Sequence, residues 1–355
     1  MESSVLATPS FTSVTALTQR GLSHLPESYV LPPSQRPGCT RSTASPSGYN
    51  LPVIDLSAIK HPRMRSCVVE EVRTACKNLG FFQVINHKIS PLVMNGALDA
   101  AKAFFNLPSE EKIPLMSGSV WKPVRYGTSL NHVQDRVHFW RDFLKHYCNP
   151  ISAWVDLWPL NPACYREQMG NYAKAVQELQ KMLMELIFES LDLQPTYLKE
   201  DIEEGSQVMA VNYYPVCPEP ELALGLPPHT DYSLLSILLQ NQQGLQIMDQ
   251  DKIWHPVPVI DGALIVQLGD QMEVLSNGMH KSVIHRATVN SEKYRISIAS
   301  LHSLALEKKV GPAPPLVDRS NRSSYIEASF SDFLNFIDGN DITATSFIDT
   351  LKINQ

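Results

Sequence analysis

Four absences narrow what this chain can be. No apolar run approaches the roughly 18 residues needed to cross a bilayer. The most apolar stretches, Ile237 to Leu239 and Ala263 to Leu268, are far shorter, so no membrane partner is expected. Positive charge is not in excess: 30 Lys and Arg against 36 Asp and Glu leave a net −6. That balance lacks the basic footprint of a chain that neutralises phosphates, and argues against nucleic acid. Cysteine is sparse, with six residues at irregular spacing and no CxxC pair; a disulfide scaffold is excluded, and reduced thiols in a cytoplasmic setting are expected. No secretory signal is expected either, since the first residues show neither a basic segment nor an apolar core. The Ser- and Thr-rich stretch from Ser3 to Thr18 does have the composition of a plastid transit peptide.

What is present is an ordinary globular balance, 43% hydrophobic and 19% charged over 355 residues. That length fits two average domains, or one large β domain with helices around it. Residues 1–50 read as a short helix near Val14 to Gly21 followed by a loose Pro/Ser/Gly-rich arm. Residues 51–205 read as a mixed helical and β region packing on the core. It holds a strand at Leu51 to Leu56, a helix from Met64 to Leu79 stopped by Gly80, a strand at Phe81 to Asn86, and a helix over Pro91 to Phe105 capped by Ser90. Gly118 to Pro162 has weak periodicity and reads as variable loops. Tyr165 to Leu193 is the longest helix, with Tyr172, Val176, Leu179, Leu183 and Leu186 on one stripe.

From residue 206 to 305 the texture changes to short β runs between Gly, Pro, Asn and Asp: Val208 to Tyr214, Ser233 to Gln240, Gly244 to Met248, Ala263 to Leu268, Ser282 to Arg286 and Tyr294 to Leu301. Several short strands at this spacing predict a sandwich or barrel. Residues 306–355 end in a helical segment, Ser329 to Leu351, that would cover it as a lid. The fold class is therefore a mostly β core flanked by α-helices, in one integrated unit.

The chemistry concentrates in the β region. In His229-Thr230-Asp231 the first and third side chains point to the same side of an extended segment, so both can reach one metal ion. By itself the tripeptide means little, because a loop His bonded to an Asp is common. His285, in a later β run, adds a second imidazole, and Arg295 and Ser297 share a face of the next. Two imidazoles and one carboxylate leave half of an Fe(II) octahedron open for a chelating cosubstrate and O2. Arg offers a planar fork to a carboxylate and a hydroxyl adds another hydrogen bond, which suits a dicarboxylic cosubstrate chelating the iron with its other end.

Five motifs in order, Asn212-Tyr213-Tyr214-Pro215-Val216-Cys217-Pro218, His229-Thr230-Asp231, Ser276-Asn277-Gly278, Lys281 to Arg286 and Arg295-Ile296-Ser297, resemble the plant Fe(II)- and 2-oxoglutarate-dependent dioxygenases. The resemblance runs from about Leu51 to Leu304 and lies nearest the flavanone 3-dioxygenase-like, specialised-metabolism branch. It implies a double-stranded β-helix, or jelly roll, with helices on one side. It further implies iron held by His229, Asp231 and His285, 2-oxoglutarate held by Arg295 and Ser297 with help from Asn212 and Tyr214, O2 as cosubstrate and ascorbate as reductant. The product would be a hydroxylated or desaturated small apolar metabolite such as a flavonoid, terpenoid, alkaloid or hormone, with succinate and CO2 formed from the cosubstrate. Leu301 shares the face of Arg295 and is expected at the pocket mouth; Phe143 and Tyr126 are expected substrate contacts by their position relative to the family. Two departures from the family pattern stand out, Val216 for a usual Pro and His280 for a frequent Tyr. His255 and His302 are assigned local hydrogen bonds rather than metal, and His280, five residues from His285, would point to the opposite face of a continuous strand and is not taken as a ligand. Nothing demands more than a monomer. Three readings stay open beside this one: an ascorbate-dependent iron oxidase without 2-oxoglutarate, a zinc hydrolase, and a metabolite-binding protein on the same fold.

Overall fold

The computed structural model describes residues 12–39, 51–130, 135–317, 322–340 and 346–353. Twelve strands form two sheets: β1 (Val53–Asp55), β2 (Phe81–Ile85), β3 (Val124–Thr128), β4 (Asp142–Tyr147), β5 (Ser206–Tyr214), β6 (Leu226–His229), β7 (Leu235–Gln240), β8 (Leu245–Met248), β9 (Trp254–Pro256), β10 (Leu264–Leu268), β11 (His285–Ala287) and β12 (Arg295–Ser303). The larger sheet runs β1-β2-β10-β7-β12-β5-β4-β3 and the smaller β6-β11-β8-β9. They are the two layers expected of a jelly roll, with Phe81, Leu238 and Ile265 of one sheet meeting Leu245 and Ile247 of the other.

Helices cover the outer face of the large sheet. Helix α1 (Val14–Gln19) opens the described chain, and α2 (Pro62–Asn78), α3 (Pro91–Phe105) and α6 (Tyr165–Ser190) supply the main stripes. Four short helices, α4 (Ser109–Lys112), α5 (Ile151–Trp154), α7 (Lys199–Glu203) and α8 (Asp270–Leu275), punctuate the connections. Helix α3 begins where Ser90 and Pro91 require: the Ser90 hydroxyl accepts from Leu92 N at 3.2 Å, and proline occupies the first turn, where its missing N–H has no intrahelical partner to lose. Its Ala97, Ala101, Phe104 and Phe105 join Tyr172, Val176 and Leu183 of α6 in one core that also takes Leu144, Val211 and Ile298 from the sheet. Among the described residues no helix is long and apolar enough to cross a membrane, and five cysteines (Cys67, Cys76, Cys148, Cys164, Cys217) are free thiols.

Three expectations need correction. Gly118 to Pro162 contains β3 and β4, two full members of the large sheet. Both faces of these strands are buried and both carry polar side chains, so hydrophobic alternation does not mark them. The N-terminal arm is not loose where it is described: Val14, Tyr29 and Leu31 are buried. The buried Asp142 carboxylate accepts from Val14 N and Thr15 N at 2.9 and 2.8 Å, tying α1 to β4. Finally, the terminal helix is two pieces, α9 (Phe330–Gly339) and α10 (Phe347–Leu351). Ser329 and Asp332 close a reciprocal cap at the start of α9, with Asp332 N donating to Ser329 Oγ at 3.1 Å and Ser329 N to Asp332 Oδ2 at 2.8 Å. The remaining part of the arm, residues 40–50, and residues 341–345 between the two helices lie outside the described residues.

Candidate active site

The candidate metal-binding group is assembled by strand pairing. Antiparallel pairing of β6 and β11 sets His285 opposite His229, and the register shifts between His285 and Ala287. The imidazole ring centres end 4.1 Å apart, and Asp231, just past the end of β6, places Oδ1 3.7 Å from His229 Nε2 and 3.8 Å from His285 Nε2. One ligand atom from each residue lies within 4.8 Å of the others.

Backbone carbonyls orient both rings. His229 Nδ1 lies 2.8 Å from Pro227 O and His285 Nδ1 lies 3.1 Å from Val283 O. A carbonyl can only accept, so each Nδ1 carries the proton and each Nε2 presents its lone pair toward Asp231. Burial and the adjacent His285 ring push the pKa of His229 well below its ordinary value, which keeps that imidazole neutral. Two imidazole nitrogens and a carboxylate converging on one point are the donor set of a mid-row divalent metal.

The second element lies on the inner face of the large sheet. Pairing of β12 with β5 sets Arg295 opposite Tyr214 and Ser297 opposite Asn212. The Arg295 guanidinium is 4% exposed; its Nε donates to Gln242 O at 3.2 Å and Nη2 to Gln240 Oε1 at 2.9 Å, while Nη1 is buried without a partner. The Tyr214 ring lies 4.9 Å from its centre. Burial lowers the Arg295 pKa, with Tyr214 opposing the shift, but guanidinium remains charged at any physiological pH. A buried guanidinium with one unfilled donor fits an anionic acceptor from outside the protein. Gly244 makes this placement possible, because a Cβ there would come within 2.7 Å of Arg295 Cδ. The residues therefore fit both iron and 2-oxoglutarate.

Around the triad opens a cavity of about 550 Å³, within the range of small-molecule sites. His229, Asp231 and Leu301 line it together with Phe330 and Phe333 of α9 and Phe347 of α10. Phe333 stacks on Tyr232 at 4.7 Å between ring centres and meets Phe347 edge-on at 5.6 Å. The C-terminal helices thus form an aromatic wall of the cavity that His229 and Asp231 line.

Leu301 stands where its parity with Arg295 predicts. Phe143 faces the interior, its ring held between the guanidiniums of Arg125 and Arg141 at 5.1 and 4.8 Å. Gly127 leaves room for it, since a Cβ there would sit 2.8 Å from the ring. Tyr126 corrects the sequence reading. It pairs with Leu144 on β4, one residue out of phase with Phe143, so it points through the sheet to Phe104 and the helical core. A substrate contact is not available to it from there.

His255 bonds Asp249 Oδ2 at 2.6 Å and His302 bonds Ser300 Oγ at 2.9 Å, local hydrogen bonds of the kind expected of them, and His280 bonds Ser190 Oγ at 2.9 Å. His280 sits in the irregular stretch before β11 rather than on a continuous strand. Sequence reasoning missed Arg141, which is 7% exposed and donates to Asn212 Oδ1 at 3.0 Å and to Ser129 O at 2.7 Å. This bond fixes the Asn212 amide, leaving its Nδ2 3.5 Å from Ser297 Oγ. The available signal was the odd-numbered set Arg141, Phe143, Lys145, which a strand would place on one face.

Comparison with known proteins agrees with this geometry. Residues 205–303 match the 2OG-Fe(II) oxygenase superfamily and residues 51–162 match the N-terminal region described as non-haem dioxygenase in morphine synthesis. The chain is 42% identical over 328 residues to 2-oxoglutarate-dependent dioxygenase 21, chloroplastic, of Oryza sativa subsp. japonica, covering 92% of this chain and 94% of that one. It is 44% identical over 307 residues to flavanone 3-dioxygenase 3 of the same organism, covering 85% and 93%. A crystal structure of JOX2 in complex with 2OG, Fe and JA superposes with a TM-score of 0.86 at 31% identity over 98% of this chain and 99% of that one. The chain belongs to the plant Fe(II)- and 2-oxoglutarate-dependent dioxygenases, a family of jelly-roll enzymes.

Proposed function

We propose that His229, Asp231 and His285 hold the catalytic iron, that Arg295 and Ser297 hold the distal carboxylate of 2-oxoglutarate, and that the substrate is a small, largely apolar plant metabolite. The observation that carries this reading is the convergence of two oriented Nε2 atoms and one carboxylate at the wall of an aromatic cavity. Bound together, iron and 2-oxoglutarate supply an oxidant able to break an unactivated C–H bond, with O2 consumed and succinate and CO2 released.

The chain's own residues do the rest. Arg295 Nη1 and Ser297 Oγ donate to the carboxylate that enters between them, and the Gln240 and Gln242 contacts hold the guanidinium in register. Arg141 pins Asn212 beside that site. Phe330, Phe333 and Phe347 exclude water from the cavity, which protects a reactive centre from side reactions. Leu301 lies against the substrate as an apolar wall rather than a stacking ring. Relatives whose names specify flavanones, and the JA held by JOX2, support the expectation of a flavonoid or hormone-like substrate.

Anaerobic addition of Fe(II) and 2-oxoglutarate should produce a weak visible charge-transfer band in the wild type and none in Asp231→Ala. Substrate-dependent succinate release that survives His229→Ala or Asp231→Ala, without added carboxylate, overturns the assignment. A cytoplasmic, monomeric enzyme is the accompanying proposal. One relative is named chloroplastic, so chloroplast import of a full-length fluorescent fusion would overturn the location, and a dimer mass in solution would overturn the monomer.

A further inference from the structure

Resting on the reading of this site as a 2-oxoglutarate-dependent oxygenase, we propose that Lys145 sets substrate specificity: it ion-pairs with a carboxylate on an otherwise apolar substrate. Lys145 lies on the inner face of β4 and lines the same cavity as His229 and Asp231. In the sheet register its neighbour is Ala210, and beyond Ala210 stands Ala299. Two small side chains in a row leave open volume beside the lysine stem, where larger ones would fill it.

Lys145 borders this cavity without a paired anion. Its Nζ donates to Val120 O at 2.7 Å and lies 5.3 Å from the Tyr147 ring centre, and among the described residues it forms no ion pair. Facing it across the β3–β4 pairing is Arg125, which donates to the carbonyls of Ser117 and Leu130 at 2.8 and 3.0 Å, lies against the Phe143 ring and, among the described residues, forms no ion pair. None of the acids that line the cavity pairs with Lys145 among the described residues. Asp231 belongs to the metal group, and Asp270 Oδ2 accepts from Thr230 Oγ1 at 3.2 Å while its Oδ1 is buried without a hydrogen-bond partner. Glu273 accepts from Ser282 N and Tyr325 Oη at 2.7 and 2.8 Å, and Asp349 pairs with Lys352 at 2.7 Å.

An unpaired ammonium in an apolar, half-enclosed site is unfavourable unless a ligand brings the opposite charge. Burial and Arg125 accordingly push the Lys145 pKa down to about 8 in the ligand-free protein. A carboxylate arriving there restores the charged form and gains a charge-assisted hydrogen bond. It also fixes which end of the substrate faces β4, and so which end faces His229 and Asp231. Lys145 thereby selects a carboxylic acid over its ester and over a neutral polyphenol.

The test is anaerobic calorimetry on protein loaded with Fe(II) and 2-oxoglutarate, using jasmonic acid, 1-naphthaleneacetic acid, the methyl ester of each, and a neutral flavanone. Wild-type protein should bind at least one acid about tenfold or more tightly than its ester, the scale of one hydrogen bond to a charged group. Lys145→Met should abolish that preference and Lys145→Arg should retain most of it. Equal binding of acid and ester, no binding of either acid, or an acid preference that survives Lys145→Met overturns the proposal. If Lys145→Met does not fold, the wild-type comparison of acid with ester decides alone. The charge-transfer band of the same wild-type preparation separates the two failures: its absence sinks the oxygenase site itself, and its presence without acid preference sinks only the role of Lys145.

Discussion

On one face of the large sheet, Tyr126, Leu144, Val211, Ile298 and Val266 meet α3 and α6 in a continuous apolar core. On the other face, one residue along on the same strands, stand Arg125, Phe143, Asn212, Ser297 and Gln267. The outer face is packed by helices, although Tyr172 Oη and Gln207 Oε1 on that side are buried without a hydrogen-bond partner. The inner face carries neutral groups of the same kind, the Nε2 atoms of Gln83, Gln240 and Gln267, and in addition a charged donor, Arg295 Nη1. A neutral group desolvated without a partner costs about 1–3 kcal/mol and a charged one more. The contrast therefore lies in the guanidinium, which marks the inner face as the one that takes an anionic ligand, while the helix-packed face supplies the stability that tolerates it.

Substitutions on the two faces should therefore separate activity from stability. The largest effect is expected from Asp231→Ala, which should lower substrate-dependent succinate formation ~1000-fold or more, ~4 kcal/mol of barrier, with little change in thermal midpoint. A large drop in midpoint would show that the triad also holds the fold. On the outer face, Leu144→Ala should cost about 2–5 kcal/mol of unfolding free energy in urea titration while leaving KM for 2-oxoglutarate unchanged; a changed KM would blur the division. Arg295→Met should raise that KM about 10- to 100-fold, the ~1.5–3 kcal/mol of charged hydrogen bonding, without destabilising the protein. An unaltered KM would remove Arg295 from the cosubstrate site.

The smallest effect is in pH. His146 and His302 are buried on the outer face, where burial pushes both pKa values down to about 3. The unfolded chain takes up these protons near pH 6.5 and the folded one does not, so stability is complete above pH 6.5 and declines as pH falls toward 3. The slope should approach about 1.4 kcal/mol per pH unit for each histidine. His302→Gln should flatten it; an unchanged slope would show that the ring is not kept neutral by the fold.

Much of this arrangement was legible before the fold was known. Ser90 and Pro91 announced α3 to the residue, and the parity of Arg295, Ser297 and Leu301 placed all three on one face, as the β12 pairings show. Strands β3 and β4 were not legible, because Arg141 to Tyr147 carries polar and apolar residues on both faces and both faces are buried. Tyr126 was misplaced for the same reason: without the strand, its phase relative to Phe143 could not be read. The docking of α1 was hidden because its anchor, Asp142, lies far along the chain and acts through backbone N–H groups that no sequence pattern displays.

The sequence by itself determined the local terms: the helix caps, the alternation within each β run, and the residue types able to bind a metal and a dicarboxylate. Only the tertiary structure decided which of these meet. His229 and His285 become neighbours because β6 and β11 pair in one register, and a slip of one residue would turn either imidazole to the opposite face. The same pairing logic brings Lys145, Ala210 and Ala299 into one row, and the C-terminal aromatic rings close over the cavity only after the sheets have formed. Side-chain chemistry is local to a residue, whereas a site is a set of distances, and those distances are fixed by hydrogen-bonded strands and packed helices far apart in the chain.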